Sequence, residues 1–173
     1  GNTPVRRVVA LAGLVSEYGT GFLARFKHMS TQGDADGAWR PRWRSVQVKP
    51  TAYWAERLDL GKPSLTKARH LIGETRARDI WVNVVLPMLV AAGDAGRGEE
   101  TRRRAIDLYH DHPSLQSNYK TRWVAAQALR LPEKADARQK AKMQQGMLEL
   151  YDGFCEPRRC FECPIQAARS IPT

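Results

Sequence analysis

The sequence predicts an all-α fold: an irregular multi-helix bundle around a buried central helix at about 72–93, with a cysteine-containing C-terminal tail. Three observations lead there. Ile80 to Ala92 is apolar except at Asn83 and Pro87, a run too long for an ordinary buried strand and too short to span a bilayer as a helix. Elsewhere the apolar residues recur at helical spacing, and no alternating pattern argues for a sheet; Val46 to Val48 offers a short strand at most. Helix start and stop signals punctuate the chain, beginning with Thr3-Pro4 as N-cap and first helical position.

Taken in order, Val5, Val8, Val9, Ala12 and Val15 predict the inward face of a first helix, with Arg6 and Arg7 off that face and Gly19 as its end. A short second helix follows, with Phe22, Leu23 and Phe26 as its apolar side. From Thr31 to Arg44 the period is lost among Gly33, Asp34, Asp36, Gly37 and Pro41. Pro50 opens a helix carrying Tyr53, Trp54 and Leu58 that closes near Gly61, and Ser64 caps another running from Leu65 to Ile72. His70 on that helix reads as a packed or solvated side chain.

The central run should be enclosed, because a helix apolar on nearly every face needs neighbours all round. Pro87 removes a donor from the Asn83 carbonyl and should kink it. The amide of Asn83, if buried, needs a partner; a local one is expected ahead of a role orienting a ligand. Gly93 is the stop, and Asp94 to Gly98 a turn. Glu99 and Glu100 suit the first turn of the next helix electrostatically. Its inward residues are Ile106, Leu108 and Tyr109, while Arg102, Arg103 and Arg104 spread around the circumference. His110-Asp111-His112-Pro113 reads as a helix end rather than a metal site. Ser117 or Asn118 starts a helix with Trp123, Val124, Ala128 and Leu129, broken at Pro132. Ala135 to Phe154 is the longest amphipathic stretch, with Met143, Met147, Leu148, Leu150, Tyr151 and Phe154 as its buried stripe and Lys134, Arg138, Lys140 and Lys142 at its start.

A chain of 173 residues suffices for one domain with a real core. The reading is a helical domain at 1–154 and a tail at 155–173 packed on it. Gly1 in place of Met reads as a tag scar, and the chain as a fragment of a longer protein. Hydrophobic residues make up 42%, which excludes general disorder. No run reaches membrane-spanning length and no signal-peptide pattern is present, so no membrane partner is expected. Three cysteines, all near the C-terminus, argue against a secreted disulfide scaffold and for the cytoplasm. No serine sits in a nucleophile elbow, no glycine-rich phosphate loop occurs, and no carboxylate pair is placed as acid and base, so no catalytic residue is assigned.

Lys and Arg number 28 against 18 Asp and Glu, a net charge of +10. Such an excess draws polyanions through counterion release. The series Trp39-Arg40-Pro41-Arg42-Trp43-Arg44 interleaves cations with aromatic faces that can stack bases. Alternatively the two Trp pin a loop to the core. Candidate nucleic-acid contacts are Arg40, Arg42, Arg44, Arg76, Arg78, Arg102 and Arg103, with Trp39 and Trp43 as stacking surfaces.

Cys155, Cys160 and Cys163 form a C-x4-C-x2-C pattern, the candidate metal ligands. A tight knuckle of two thiolates with a third from a short loop can close on zinc or an iron–sulfur cluster. Arg158 and Arg159 would favour thiolates. A closed site of either kind normally takes four protein ligands, so the fourth would be a histidine such as His110 or His112, or would be missing. The alternative is three reduced cysteines packing the last turn.

Ile72 to Asp94 (IGETRARDIWVNVVLPMLVAAGD), Gln144 to Cys155 (QQGMLELYDGFC) and the cysteine pattern together resemble an uncharacterised bacterial family, domain of unknown function 2851, with Thr3 to Arg7 and Tyr53-Trp54 as weaker landmarks. The resemblance implies the C-terminal half of longer members, whose front half looks like a divergent metal-dependent nuclease. It implies an upstream catalytic domain as a partner and no catalysis in this chain. The functional expectation is a nucleic-acid-binding helical accessory domain. The alternatives are an intramolecular or protein–protein docking domain, or a sensing module stabilised by zinc or an iron–sulfur cluster.

Overall fold

The computed structural model describes residues 3–31, 42–63, 70–94, 98–132, 135 and 138–169. Helix dominates, as the local spacing predicts, and no described helix is long and apolar enough to cross a membrane. The chain divides into two units, Gly1–Leu108 and Tyr109–Thr173.

In the first unit, α1 spans Pro4–Tyr18, its N-cap Thr3 accepting from the Arg6 amide at 3.4 Å, and its end set by Gly19 at φ 50°. A positive φ there suits glycine alone among common residues. The inward face of α1 is not the predicted valine stripe. Arg6 and Ala10 are buried, whereas Val8, Ala12 and Val15 are exposed. Arg6 turns inward because its Nη1 donates to the carbonyl of Arg57 at 2.5 Å and to that of Trp54 at 3.4 Å. Gly13 also faces in, since a Cβ there would meet Val48 Cγ1 at 2.5 Å.

The helix α2, Phe22–Thr31, follows a 3-10 turn at Gly19–Gly21. Phe26 joins α2 to the centre of the unit. Its ring lies 4.4 Å from Phe22, 5.4 Å from Tyr18 and 5.6 Å from Trp81, centroid to centroid. Residues Arg42–Val46 form a second 3-10 turn, stitched to α1 by the Tyr18 hydroxyl donating to the Ser45 carbonyl at 2.6 Å. No strand forms at Val46–Val48; Val48 is buried, and its carbonyl accepts from the Leu71 amide at 2.7 Å.

The helix predicted from Pro50 to Gly61 is only α3, Ala52–Ala55. A two-stranded antiparallel ribbon replaces the rest, β1 (Arg57–Asp59) with β2 (Lys62–Pro63). Gly61 at φ 71° closes the turn, and proline is tolerated in β2 because both strands are edges. The helix predicted from Ser64 falls on 64–69, outside the described residues; His70 to Gly73 is not helical.

The central run is three segments in series: α4 (Glu74–Ile80), a π-helical turn at Trp81–Val85 and α5 (Leu86–Ala92). Pro87 has its effect here. The Leu86 amide bonds back to the Trp81 carbonyl, an i→i−5 register just ahead of the proline, so the ladder widens where a donor is missing. Enclosure on nearly every side is not observed. Trp81, Val82, Val85, Leu86 and Leu89 are buried, but Asn83, Val84, Pro87, Met88 and Ala91 are exposed. Asn83 is therefore not a buried amide, and its Nδ2 donates to the Asp79 carbonyl at 2.9 Å. The helix α6, Glu99–Asp111, begins in the first unit, with Thr101, Ala105 and Leu108 buried.

In the second unit, α7 (Tyr119–Trp123) starts with a capping box between Asn118 and Thr121 and continues as a π turn at Val124–Ala128. The predicted stretch from Ala135 forms α8 only over Ala141–Leu150, followed by a π turn at Tyr151–Cys155. Val124, Ala125, Met147 and Tyr151 make the core. Met143, expected in the buried stripe, is exposed, and the inward place is taken by Gln144. A glutamine is stable there because both ends of its amide are matched by one residue. The Leu115 amide donates to Oε1 at 2.6 Å, and Nε2 donates to the Leu115 carbonyl at 3.1 Å. The tail forms a 3-10 turn, Cys160–Glu162, and α9, Pro164–Arg169.

Candidate functional site

Most of the predicted arginine contacts are engaged within their own unit. Trp39 and Arg40 lie outside the described residues. Arg42 Nη1 donates to the Met29 carbonyl, tying the Arg42–Val46 turn to α2. Arg76 pairs with Asp79 at 3.5 Å, Arg78 with Glu74 one turn earlier, and Arg102 with Asp94 at 2.7 Å and Glu99 at 3.4 Å. Each of these carboxylates competes with an external phosphate for its guanidinium. Burial raises the Asp79 carboxyl above its ordinary range, against the opposing pull of Arg76. Arg44 and Arg103 are exposed and form no ion pair among the described residues.

Trp43 is 3% exposed, so it cannot offer a face to a base. Its ring already carries two cations, Arg78 at 5.0 Å and Arg44 at 5.6 Å from the centroid. The reading of Trp43 as a loop anchor therefore describes it better than that of a stacking surface.

What the residue pattern missed is the outward side of α1. Val8 is 67% exposed, and Leu11 and Val15 61% each. They recur at i, i+3 and i+7, which places them on one stripe. Leu11, which the predicted inward set of Val5, Val8, Val9, Ala12 and Val15 leaves out, was the available signal, because it shares the stripe of Val8 and Val15.

The cysteines are brought to one place. Cys155, Cys160 and Cys163 line a cavity of about 160 Å³ with Trp123, Ala128, Phe154 and Ile165 in its wall. The π turns Val124–Ala128 and Tyr151–Cys155 contribute to that wall; such turns recur at functional sites. Cys160 is exposed, Cys155 half-buried and Cys163 buried, all as free thiols. Among the described residues no three His, Cys, Asp or Glu side chains are grouped to hold one metal ion. Burial, followed by the neighbouring Cys163 and Cys160, pushes the Cys155 thiol up. The expected thiolate-favouring effect of the arginines is not seen at Cys155. Arg159 is paired with Glu162 and lies over the Phe154 ring at 6.0 Å.

The two histidines point elsewhere. His110 Nδ1 faces Lys142 Nζ at 3.2 Å, and His112 is fully buried with Nδ1 against the Pro113 carbonyl at 2.8 Å. Asp111 pairs with Lys140 at 3.0 Å.

Beside the cavity wall, the Tyr119 and Tyr151 hydroxyls share a hydrogen bond of 2.8 Å. Tyr151 is pushed up to about 12, first by that bond, then by burial and by the charges of Tyr119, Glu156 and Asp152. A folded pKa above the unfolded value of about 10 means that the native state holds its proton longer. The resulting stability is fully present below about pH 10 and is lost as pH rises through about 12. We expect Tyr119→Phe to lower the Tyr151 titration, followed as tyrosinate absorbance, and to narrow this alkaline loss. An unchanged titration curve would mean that the shared bond does not govern Tyr151.

The model of a family described as "Protein of unknown function (DUF2851)" matches residues 1–118. The match takes in the central run and ends before the cysteine cavity. No curated protein and no solved structure matches the chain.

Proposed function

The chain belongs to the DUF2851 family of proteins of unknown function, and from that premise we propose that it is a helical module that docks a protein partner. The observation that carries this reading is the reversed α1, which commits a buried arginine inward and leaves Val8, Leu11 and Val15 on its outer side. Full burial of one such side chain is worth about 1.5–3 kcal/mol before the costs of association. Three on one stripe are enough to anchor a helix. The i, i+3, i+7 spacing, with β-branched residues either side of a leucine, is the seam geometry that takes another helix. The net charge of +10 repels a second copy and favours a partner helix whose apolar face is flanked by carboxylates.

The test is a photo-crosslinking side chain at position 11, introduced into the protein in its own cells. The expected result is one discrete protein adduct, lost when Val8 and Val15 are both replaced by Lys. A purified chain that dimerises through α1, or the absence of any adduct at position 11, would sink the reading.

A second reading, the grip of nucleic acid by its phosphates, draws on the charge excess and on exposed Arg44 and Arg103. It predicts binding that weakens steeply with salt, and a lower slope in Arg44→Ala/Arg103→Ala. Failure to bind DNA or RNA at low ionic strength removes it.

A further inference from the structure

We propose that Cys160 and Cys163 are a thiol–disulfide exchange pair, in which Cys160 takes up a small-molecule disulfide and Cys163 closes the bond within the chain. The turn they share carries the argument. Cys160–Glu162 is a 3-10 turn, and the Cys163 amide donates to the Cys160 carbonyl at 3.2 Å. A bond from residue i+3 back to residue i keeps the two Cα atoms within about 7 Å. That overlaps the separation of about 4.4–6.8 Å at which a disulfide forms without moving the backbone. Both side chains also open on one space, the cavity of about 160 Å³ walled by Trp123, Phe154 and Ile165. The reduced chain, with both thiols free, therefore already has the backbone the bond needs.

Exposure divides the roles. Cys160 is exposed and Cys163 buried, so a dissolved disulfide meets Cys160 first. Cys155 is half-buried at the end of its π turn. Its thiol is pushed up by burial and then by Cys163 and Cys160, which keeps it protonated, and the thiolate is the form that reacts. Cys155 is therefore a bystander. The exchange runs as two displacements. The Cys160 thiolate attacks one sulfur of oxidised glutathione, the disulfide of that molecule breaks, and one glutathione leaves and takes a proton. Cys163, having given up its own proton, then attacks the Cys160 sulfur and expels the second glutathione. The chain loses two protons and two electrons, and one oxidised glutathione becomes two reduced molecules. Cys163 is also an anchor of α9, since its carbonyl accepts from the Ala167 amide at 3.0 Å. The new bond ties the start of that helix to the exposed turn.

The experiment equilibrates the full chain with mixtures of reduced and oxidised glutathione, quenches in acid, labels the remaining thiols with a maleimide and reads intact and peptide masses. We expect oxidation to remove two of the three labelled thiols, with the link mapped to Cys160–Cys163 and lost on adding dithiothreitol. The folded chain should form the bond with an equilibrium constant at least about tenfold above that of the same chain in urea, because the turn presets the pair. Cys163→Ser should stop at one glutathione on Cys160, Cys160→Ser should form no bond, and Cys155→Ser should match the parent chain. A link that involves Cys155 overturns the proposal, as does the lack of an intramolecular bond at every glutathione ratio. A bond favoured no more in the folded chain than in urea also does so, since the folded turn would then contribute nothing.

Discussion

Trp81→Ala is expected to destabilise the first unit by about 3–5 kcal/mol, the range for removing a large aromatic from a packed interior. Trp81 is 1% exposed and opens the π turn. Its ring meets Phe26, which itself stacks with Phe22 and Tyr18. One indole therefore connects the central run to α2 and, through Tyr18, to α1. The cavity left behind cannot collapse easily, because Phe26, which packs on the ring, and Leu86 and Leu89 of the same run are already fully buried. Urea unfolding followed by circular dichroism gives the measurement, with Trp123→Ala as the comparison. Trp123 is 37% exposed and should cost much less. Because the chain has two units, the transition of the first unit should move while that of the second stays in place. A cost below about 1 kcal/mol for Trp81→Ala would show that this residue is not the hub of the unit.

Arg6→Ala should cost about 3 kcal/mol, with Arg6→Lys recovering only part of it. A buried guanidinium donating to two carbonyls loses a charge-assisted pair of bonds, about 1.5–3 kcal/mol each when made by a charged group, and its stem leaves a void. Arg57 and Trp54 supply those carbonyls, so the ribbon of β1 and β2 should loosen together with α1. Amide hydrogen exchange at Arg57 to Asp59 would report it. The consequence reaches the docking stripe. Arg6 commits the polar side of α1 inward, and without it the helix is free to roll its valines toward the unit. Adduct formation at position 11 should then fall in Arg6→Ala even at temperatures where the chain stays folded. Unchanged exchange in the ribbon would separate α1 from the hairpin and weaken that link.

The expectations that the structure overturns concern the inward face of α1 and the all-round enclosure of the central run. In both, hydrophobicity alone does not fix direction. The valine stripe of α1 is real as a period, and the helix forms where Thr3, Pro4 and Gly19 say it should. Its orientation was out of reach because the partners of Arg6 are carbonyls about fifty residues away, invisible to any local window. Asn83 sits in an apolar run, yet it lies on the side of that run left open. The arginine pairs follow a related rule. Arg76 and Arg78 find their carboxylates within one turn of the same helix, a pairing readable in the residue order, whereas Arg102 also reaches Asp94 across a turn. The cysteine spacing led to the right neighbourhood, since the three thiols do line one cavity. The apolar wall from Trp123 and Ala128 lies some thirty residues upstream and carries no thiol pattern of its own.

By itself the order of residues determined that this chain is helical, where α1 and α6 begin, and that its cysteines line one cavity. Those outcomes rest on backbone propensities, caps and short loops, which act over a few residues. Only the tertiary structure decided which faces are inside, where the π turns fall and which charges are already matched. Burial and pairing belong to neighbours brought together by folding, and a side chain such as Arg6 turns inward when distant carbonyls offer it more than water does.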